Sequence, residues 1–379
     1  MEFALSEEQQ GIRDAIAKLC TRFGDDYWLK RDREGGFPAD FHQAMARDGW
    51  LGIAMPEEFG GAGLGIAEAA VMMQAIAESG AGFSGASAVH MNIFGLNPVV
   101  VFGTREQKER MLPPLIRGEQ RACFAVTEPD AGLNTRKIKT RAERRGDKYI
   151  VSGQKVWIST AQVAEKVLLL TQADAGLTLF YTDLDRRHVE VREIEKMGRH
   201  AVDSNAVFFD ALPVPAEDRI GEEGKGFEYI LHGMNPERIL IAAELVGLGR
   251  CALNRAAAYA KERIVFDRPI GQNQAIQHPL AANWMALEAA SLMTSKAAWL
   301  YDSGKSCGAE ANAAKYLAGE ACFDACQQAV MTHGGFGYAA DYHVERYLRE
   351  SFVGRIAPVT PQLILCFIAE RVLGLPKSY

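Results

Sequence analysis

The hydrophobic period of this chain changes twice, and that change limits the folds the chain can adopt. From Leu5 to about Arg121, apolar residues recur at the spacing typical of helices. From Ala122, short runs rich in Val, Ile, Phe, Tyr and Thr are separated by Gly, Asp and Asn, as in strands. From Gly224 the helical period returns. The pattern predicts an α+β fold with a helical domain, an antiparallel β domain and a helical bundle.

The three predicted domains are residues 1–121, 122–222 and 223–379. The middle part runs for about a hundred residues without a helix, which favours an antiparallel sandwich or barrel. The last part is predicted to be a four-helix bundle. A chain of 379 residues is long enough for two or three domains of ~100–200 residues each.

Composition and charge exclude several classes of protein. The formal net charge is −6, whereas nucleic-acid binders usually show a strong basic excess. No apolar run approaches the ~18–20 residues that span a bilayer, and the first residues have neither a signal nor a transit composition. Seven cysteines without a CxxC pair fit a reducing compartment. We therefore expect a cytoplasmic protein that has no membrane span, no nucleic-acid partner and no metal site.

One acid stands out on an apolar helix in the last part of the chain. Asn235 is predicted to be the N-cap of this helix, Pro236 suits its first turn, and Glu237 follows within that turn. The helix dipole alone favours a carboxylate at this position, so Glu237 is either a dipole partner or a functional acid. Small residues further along, such as Gly247, leave room either for a pocket or for a close helix crossing.

Seven segments of the sequence carry recognisable motifs. In chain order they are SEEQQGIRD, PEEFGGAGLG, FGTREQKERMLPPLIRGE, VTEPDAG, KVWIS, RIVFDRPIGQNQ and HGGFGY. In this order, and over essentially the whole chain, they resemble the acyl-CoA dehydrogenase family, FAD enzymes that introduce a trans-2,3 double bond into an acyl thioester. The resemblance implies FAD as the cofactor, an acyl-CoA as the substrate and a three-domain fold.

The resemblance assigns the FAD ring to two of these segments. Phe124, Val126 and Thr127 lie at the end of a predicted strand, where they would line the flat ring and meet its polar edge. Trp157 and Ser159 alternate with an isoleucine, so both point to the same side of their strand. In the family pattern the Trp packs on the flavin, and the hydroxyl two residues later bonds near N5. The alternative for Trp157 is a core strand with a buried indole.

Further FAD contacts are implied nearer the carboxyl terminus. Arg263, Phe266 and Gln274 match residues that reach across a subunit interface to the FAD of a neighbour. The other matching positions are Gly335, Thr360 and Gln362. A helix C-cap is the alternative explanation for the glycine. Because the site would be shared between subunits, we expect a homo-oligomer, and the family pattern implies a tetramer.

The catalytic base is where the sequence departs from the common family pattern. Most members place a glutamate in a Tyr-Glu-Gly segment before the last helix, but Ala357, Pro358 and Val359 stand there. A minority, including the isovaleryl- and long-chain-type enzymes, carries the glutamate on the earlier helix, immediately before an arginine. Glu237 before Arg238 matches that arrangement. The resemblance therefore implies that Glu237 removes the α-proton as a base.

Two departures concern the acyl-CoA. Pro358 has no backbone N–H to polarise the thioester carbonyl, and losing such a donor typically lowers a rate by ~10²–10³-fold. Leu133 stands where a serine of the family touches the acyl-CoA. Leu133, Asn235 and Arg238 are the residues assigned to substrate binding.

Three functions fit these observations. The first is an acyl-CoA dehydrogenase that passes electrons to an electron-transfer flavoprotein, the partner implied by the resemblance. The second is an FAD- and acyl-CoA-binding subunit of a mixed oligomer that has lost catalysis, which Pro358 and Leu133 suggest. The third is a flavin oxidase; the absence of an extra carboxyl-terminal domain argues against the acyl-CoA oxidase type.

Overall fold

Helices form the first part of the computed structural model, which describes residues 4–378 except the side chain of Phe94. They are α1 (Glu7–Cys20), α2 (Asp25–Glu34), α3 (Ala39–Arg47), α4 (Ile66–Ile76), α5 (Gly82–His90), α6 (Asn97–Phe102) and α7 (Arg105–Ile116). Capping boxes start α1, from Ser6 and Gln9, and α7, from Thr104 and Gln107. Two π-helical turns, at residues 77–81 and 91–95, interrupt the run from α4 to α6. The predicted helical character of this part is confirmed.

The middle of the chain forms a mixed sheet. Its strands are β1 (Ala122–Ala125), β2 (Arg141–Arg145), β3 (Lys148–Ser159), β4 (Lys166–Ala173), β5 (Gly176–Asp183), β6 (Val189–Glu193), β7 (Ser204–Pro215) and β8 (Arg219–Ile220). The order is β6-β7-β3-β2-β4-β5-β8, with β1 beside β4. Most neighbours are antiparallel, as predicted, but β1 runs parallel to β4, and β2 meets β4 in parallel at Arg141 and Gln172. Parallel neighbours need a crossover connection, and the β2–β3 hairpin supplies it between β1 and β4.

The sheet is covered on both faces, as β4 shows. Val167 and Leu169 face a core formed by the strands themselves. Leu168 and Leu170 face the opposite side, in a core that also includes residues of α7 and α8. Alternate residues of a strand point to opposite faces, so a strand between two cores is apolar throughout. One face of the sheet therefore packs against α7 and α8.

The last part of the chain is again helical. Its helices are α8 (Gly226–Glu262), α9 (Gln274–Asp302), α10 (Gly308–His333), α11 (Val344–Ile356) and α12 (Pro361–Arg371), and the short strands β9 (Ile264–Val265) and β10 (Arg268–Pro269) join α8 to α9. The predicted helical bundle is confirmed, with α8 packed against α9 and α10.

The predicted start of the central helix was wrong. α8 begins at Gly226, with Lys225 as its N-cap, and runs through Pro236. Asn235 is therefore not an N-cap, and Glu237 lies within the helix rather than in its first turn. A proline inside a helix removes one backbone hydrogen bond. The burial of many apolar side chains along α8 outweighs that loss. The helix-dipole explanation for Glu237 no longer applies.

A close helix crossing accounts for the small residue at position 247. A Cβ placed on Gly247 would lie 2.3 Å from the carbonyl oxygen of Gln74 and 3.0 Å from the Cβ of Ala77. Gln74 belongs to α4, so the missing side chain lets α8 approach the backbone of α4. Of the two explanations open from the sequence, the structure supports the crossing.

Two stretches are long and apolar enough to cross a membrane by length and composition alone, residues 66–102 and 344–371. The apolar window in the first stretch is 76% buried inside the protein, as expected for helices of a core. The window in the second is only 11% buried, and it includes the exposed side chains Leu365 and Phe367 of α12. In the single chain, α12 therefore exposes an apolar face.

Candidate active site

A buried carboxylate, imidazole and carboxylate in a row form the centre of the candidate site. The Nε2 atom of His90 lies 2.6 Å from Oε2 of Glu237, and its Nδ1 atom lies 2.5 Å from Oε1 of Glu244. Glu237 and Glu244 are seven residues apart, close to two turns, so both project from one face of α8. All three side chains are buried. The imidazole at the end of α5 therefore bridges two acids of α8.

The two acids hold the imidazole in its charged form. Burial lowers the proton affinity of His90, but the attraction of Glu237 and Glu244 outweighs it and raises the pKa of His90 to about 10. Burial raises the pKa of Glu244 above its usual value, and the adjacent imidazole offsets part of that rise. The second oxygen of Glu244, Oε2, is buried and has no hydrogen-bond partner among the described residues. The cluster thus contains an imidazolium at neutral pH.

The position of His90 depends on how α5 is anchored. Glu350 of α11 accepts hydrogen bonds from the backbone N–H of Phe83, at 2.7 Å, and from the hydroxyl of Ser84, also at 2.7 Å. A carboxylate at the first turn of a helix satisfies N–H groups that have no partner in the helix and is favoured by the dipole. Arg346 in turn donates to Glu350. The start of α5 is thereby fixed to α11, with His90 at its other end.

A half-buried arginine, Arg199, connects the helix that carries His90 to the strand that carries Ser159. Arg199 donates to the hydroxyl of Ser159 at 3.0 Å and to that of Ser204 at 3.1 Å. It also donates at 3.3 Å to Ser87, which lies one turn before His90 on α5. Burial lowers the pKa of Arg199, and Glu244 is among the acids that oppose this shift. Through Arg199, Ser159 is thus joined to α5 one turn before His90, the residue that contacts Glu237.

The two segments assigned to the flavin ring are fastened to each other. Lys155, fully buried in β3, donates to the carbonyl of Val126 at 2.9 Å and to Glu128 at 3.0 Å. The backbone N–H of Val156 donates to the carbonyl of Thr127 at 3.0 Å. Burial lowers the pKa of Lys155 to about 8. Phe124 and Thr127 are half-buried beside this junction, and Val126 is buried.

Trp157 lies at a bulge in β3. The register of β3 with β7 shifts between Lys155 and Ile158, and Trp157 has a φ of 62°. Its side chain is 60% exposed, whereas Ile158 is buried and Ser159 is half-buried. The core-strand alternative for Trp157 is therefore excluded. The exposure of Trp157 therefore comes with a bulge rather than with the regular alternation assumed from the sequence.

These residues fit a flat cofactor ring. Trp157 presents an exposed aromatic side chain, and the oxygen of Ser159 accepts a hydrogen bond from Arg199, which leaves the hydroxyl hydrogen available to another acceptor. The Nε atom of Arg199 is buried without a hydrogen-bond partner among the described residues. Unpaired buried donors are rare, and an acceptor on a bound group would satisfy this one.

The other residues assigned to the cofactor lie at the surface of the last part of the chain. Arg263, Gln274 and Gly335 are exposed, and Phe266 is 93% exposed. The guanidinium of Arg263 lies 5.7 Å from the ring centre of Phe336. Within one chain these residues form an open surface rather than a closed pocket.

The segment that departs from the family pattern is anchored by a lysine. The Nζ atom of Lys315, buried in α10, donates to the carbonyl of Val359 at 2.6 Å. Burial lowers the pKa of Lys315 to about 8. Thr360 accepts a hydrogen bond from the N–H of Leu363 and so caps α12, while Gln362 in its first turn is exposed. Position 358 offers no carboxylate and no N–H.

The residues assigned to the acyl-CoA are only partly brought together. Arg238 donates at 3.2 Å both to the side chain of Asn235 and to the carbonyl of Met234. Arg238 also lines a cleft of about 370 Å³ with residues of α10 and α12. Leu133 is 61% exposed in the loop after β1.

Sequence reasoning missed His90, Glu244 and Arg199. The signals were present but weak: a histidine in a helix of small apolar residues, and an acid seven positions after Glu237. Neither matches a motif, and His90 meets Glu237 across 147 residues of chain. Only the packing of α5 on α8 reveals the cluster.

The order of helical, mixed-sheet and helical parts is that of the acyl-CoA dehydrogenase three-domain fold. Family models of the acyl-CoA dehydrogenase N-terminal, middle and C-terminal domains match residues 6–119, 123–212 and 224–373. The chain therefore belongs to the acyl-CoA dehydrogenase family, flavin-dependent oxidoreductases that act on CH–CH bonds and bind FAD.

Individual relatives agree with this assignment. The chain is 38% identical to acyl-CoA dehydrogenase FadE12 of Mycobacterium tuberculosis, over 100% of this chain and 99% of the relative. It is 33% identical to the caffeyl-CoA reductase-Etf complex subunit CarC of Acetobacterium woodii, over 97% of this chain and 99% of the relative. Among solved structures, the glutaryl-coenzyme A dehydrogenase complex with glutaryl-CoA superimposes with a TM-score of 0.96 at 29% identity, covering 100% of this chain and 98% of that one.

Proposed function

We propose that this protein converts an acyl-CoA thioester to the trans-2-enoyl-CoA and that Glu237 is the base that removes the α-proton. One observation carries the proposal: a buried carboxylate on α8 contacts His90 of α5, the helix that Arg199 also joins to Ser159, whereas position 358 holds a proline. A carboxylate oxygen can accept a weakly acidic α-proton if it is held close to the substrate and shielded from water. The burial of Glu237 supplies the shielding.

The cofactor residues follow the same assignment. Phe124, Val126, Thr127, Trp157 and Ser159 are proposed to hold the flavin ring, with the Ser159 hydroxyl donating to its polar edge. Bound FAD supplies the acceptor for the hydride that leaves the β-carbon. Arg199 orients Ser159 by donating to its oxygen. The chain's own task is then to position, shield and deprotonate the substrate.

The thioester is proposed to lie between the loop after β1 and the middle of α8. Arg238 and Asn235 are coupled by a hydrogen bond and stand beside Glu237 on that helix. Leu133 is exposed and supplies an apolar contact where the family pattern has a hydroxyl. With Pro358 unable to donate, polarisation of the thioester carbonyl falls to other donors, and the N–H of Val359 is the neighbouring backbone candidate.

A homo-oligomer, with a tetramer as the family pattern implies, is proposed to complete the FAD site. Phe266 and Tyr338 are 93% and 90% exposed, and Arg263 and Gln274 are exposed as well. A surface with large exposed aromatic side chains is typical of an interaction site. Burial of the apolar face of α12 by another subunit would also explain its exposure in the single chain. Arg263, Phe266 and Gln274 would then contact the FAD of the neighbouring subunit. Gly335, Thr360 and Gln362 would supply further contacts to the cofactor.

An electron-transfer flavoprotein is the proposed electron acceptor. The support is the relative whose name places it in a complex with Etf, which the chain matches over nearly its full length. The proposed setting is the cytoplasm, where such a soluble partner would be met by diffusion.

The experiment is anaerobic bleaching of the bound FAD by a panel of acyl-CoAs of different length and branching. The wild type is expected to bleach with at least one thioester, and Glu237→Gln is expected to keep FAD but to bleach more than a thousandfold more slowly, because the amide cannot accept the proton. Glu262→Gln, an exposed acid at the end of the same helix, is the control and is expected to bleach like the wild type.

Two other functions are distinguished by the same experiment. Pro358 and Leu133 favour a non-catalytic FAD-binding subunit, which predicts no bleaching with any thioester. Rapid peroxide formation on turnover in air would instead support an oxidase. Retained bleaching in Glu237→Gln would show that another group is the base.

A further inference from the structure

His90 has both ring nitrogens within hydrogen-bond distance of carboxylate oxygens, one on Glu237 and one on Glu244. A neutral imidazole has one N–H and can donate to only one of them. An ionised carboxylate is only an acceptor, so two ionised partners require the imidazolium, which donates from both nitrogens. The geometry by itself therefore indicates a positive charge in contact with the acid assigned as the base.

We propose that His90 is a positioning residue that aims Glu237 for α-proton removal and that, as the imidazolium between Glu237 and Glu244, it prevents the two acids from sharing a proton. The inference rests on the proposed role of Glu237. The α-proton still ends on Glu237, and His90 contacts neither the substrate nor the cofactor in this scheme.

The surroundings explain why a cation is needed here. Glu237 and Glu244 are both buried, and the charge of Glu237 contributes to raising the pKa of Glu244. Without a cation between them, two such acids share one proton, as coupled carboxylates do. A base that already carries a proton cannot accept another. The imidazolium removes this competition.

Other charged groups face the cluster, and none replaces His90. Arg199 acts on Glu244 from the side of the β domain, and its own hydrogen bonds go to three serines. Arg238 and Lys315 act on Glu237 from α8 and α10, but Arg238 donates to Asn235 and Lys315 donates to Val359. His90, by contrast, contacts the Glu237 carboxylate directly, at 2.6 Å.

Stability alone is a poor explanation for the cluster. Buried ion pairs contribute little net stability, because desolvation opposes their attraction, and apolar residues of similar volume often serve as well. Control of ionisation explains better than stability why two buried glutamates flank a histidine at a candidate active site. The pKa of about 10 for His90 agrees with an imidazolium over the range in which such enzymes work.

The test is the pH dependence of flavin bleaching, measured with one saturating acyl-CoA from about pH 5.5 to about pH 9.5. The acid limb of the profile is the part in which the rate falls as the pH decreases. In His90→Gln the midpoint of this limb is expected to shift to a higher pH by about one unit or more, because Glu237 then shares a proton with Glu244. The bleaching rate at pH 6, relative to that at pH 9, is therefore expected to fall below the wild-type ratio, by at most about tenfold for each pH unit that the midpoint moves. His42→Gln, a buried histidine of α3 outside the site, is the matched control.

A second substitution separates ionisation from mere packing. Adding Glu244→Gln to His90→Gln removes the competing acid, so the acid limb is expected to return toward its wild-type position. Glu244→Gln alone keeps the contact between His90 and Glu237, and its acid limb is expected to stay at or below that of the wild type. These shifts are read from the shape of each profile and are independent of the amount of folded protein.

Each result distinguishes a role of His90 in ionisation from a purely structural role. A His90→Gln profile that is scaled down but not shifted, or an upward shift in Glu244→Gln alone, would overturn the proposal and leave His90 a structural residue. If the wild type bleaches and Glu237→Gln does not, such a result refutes the role of His90 only. If no thioester bleaches the wild type, or if Glu237→Gln still bleaches, the proposed function and this inference fail together.

Discussion

Replacing Gly247 by Ala tests the close approach of α8 to α4, on which the position of Glu237 depends. The added Cβ would lie 2.3 Å from the carbonyl oxygen of Gln74, whereas carbon–oxygen contacts are normally about 3.3 Å or longer. The obstructing atom belongs to the backbone and cannot rotate away. The two helices must therefore separate locally by about 1 Å, within a core that has little free space.

The magnitude follows from a comparison with Gly11, an exposed glycine of α1. A Cβ on Gly11 meets nothing within 4 Å. Both substitutions gain ~1 kcal/mol from the better helix propensity of Ala, so their difference isolates the overpacking at Gly247, ~1–3 kcal/mol. With an unfolding entropy of ~0.8 kcal/mol/K for a chain of this length, Gly247→Ala should melt ~1–4 °C below Gly11→Ala.

The assay is thermal unfolding of both variants and the wild type at one protein concentration and with saturating FAD, because bound cofactor raises Tm by mass action. Gly11→Ala is expected to melt at or slightly above the wild type, and Gly247→Ala below it. If Gly247 lined an acyl pocket instead, Ala would change the preferred acyl chain and leave Tm at the level of Gly11→Ala. That outcome would refute the helix crossing as the reason for this glycine.

Two further predictions concern the cofactor and the contact between α2 and the rest of the protein. Arg263→Ala should lower the FAD retained after gel filtration, whereas Lys261→Ala, an exposed cation two residues earlier, should not; equal retention would count against a shared site. The hydrogen bond to Asp32 raises the pKa of His200 to about 9, which is above its ordinary value near 6.5. His200 therefore stabilises the fold fully below about pH 6.5 and loses this contribution as the pH rises through about 9. The Tm of the wild type should fall over that interval relative to His200→Gln, and parallel curves for the two proteins would contradict the assignment.

Local periodicity was sufficient to predict the order of the fold. Spacings of three and four residues predicted the helices of the first and last parts, and alternation predicted the strands between them, because each period reflects which side chains one element can bury. Alternation did not foresee the bulge in β3 that carries Trp157. The motifs, through the family resemblance, supplied FAD and drew attention to Glu237 once Pro358 had excluded the usual position.

Other features depended on contacts between distant parts of the chain. The proline at position 236 suggested a helix start, yet burial along α8 carries the helix through it. The parallel pairing of β1 with β4 depends on where the β2–β3 hairpin folds, which no local pattern encodes. His90 and Glu237 are 147 residues apart, and each looks ordinary in its own helix. The periodicity of apolar side chains predicts only whether a residue faces inward. The residue that it contacts there is determined by the packing of separate helices and strands against one another.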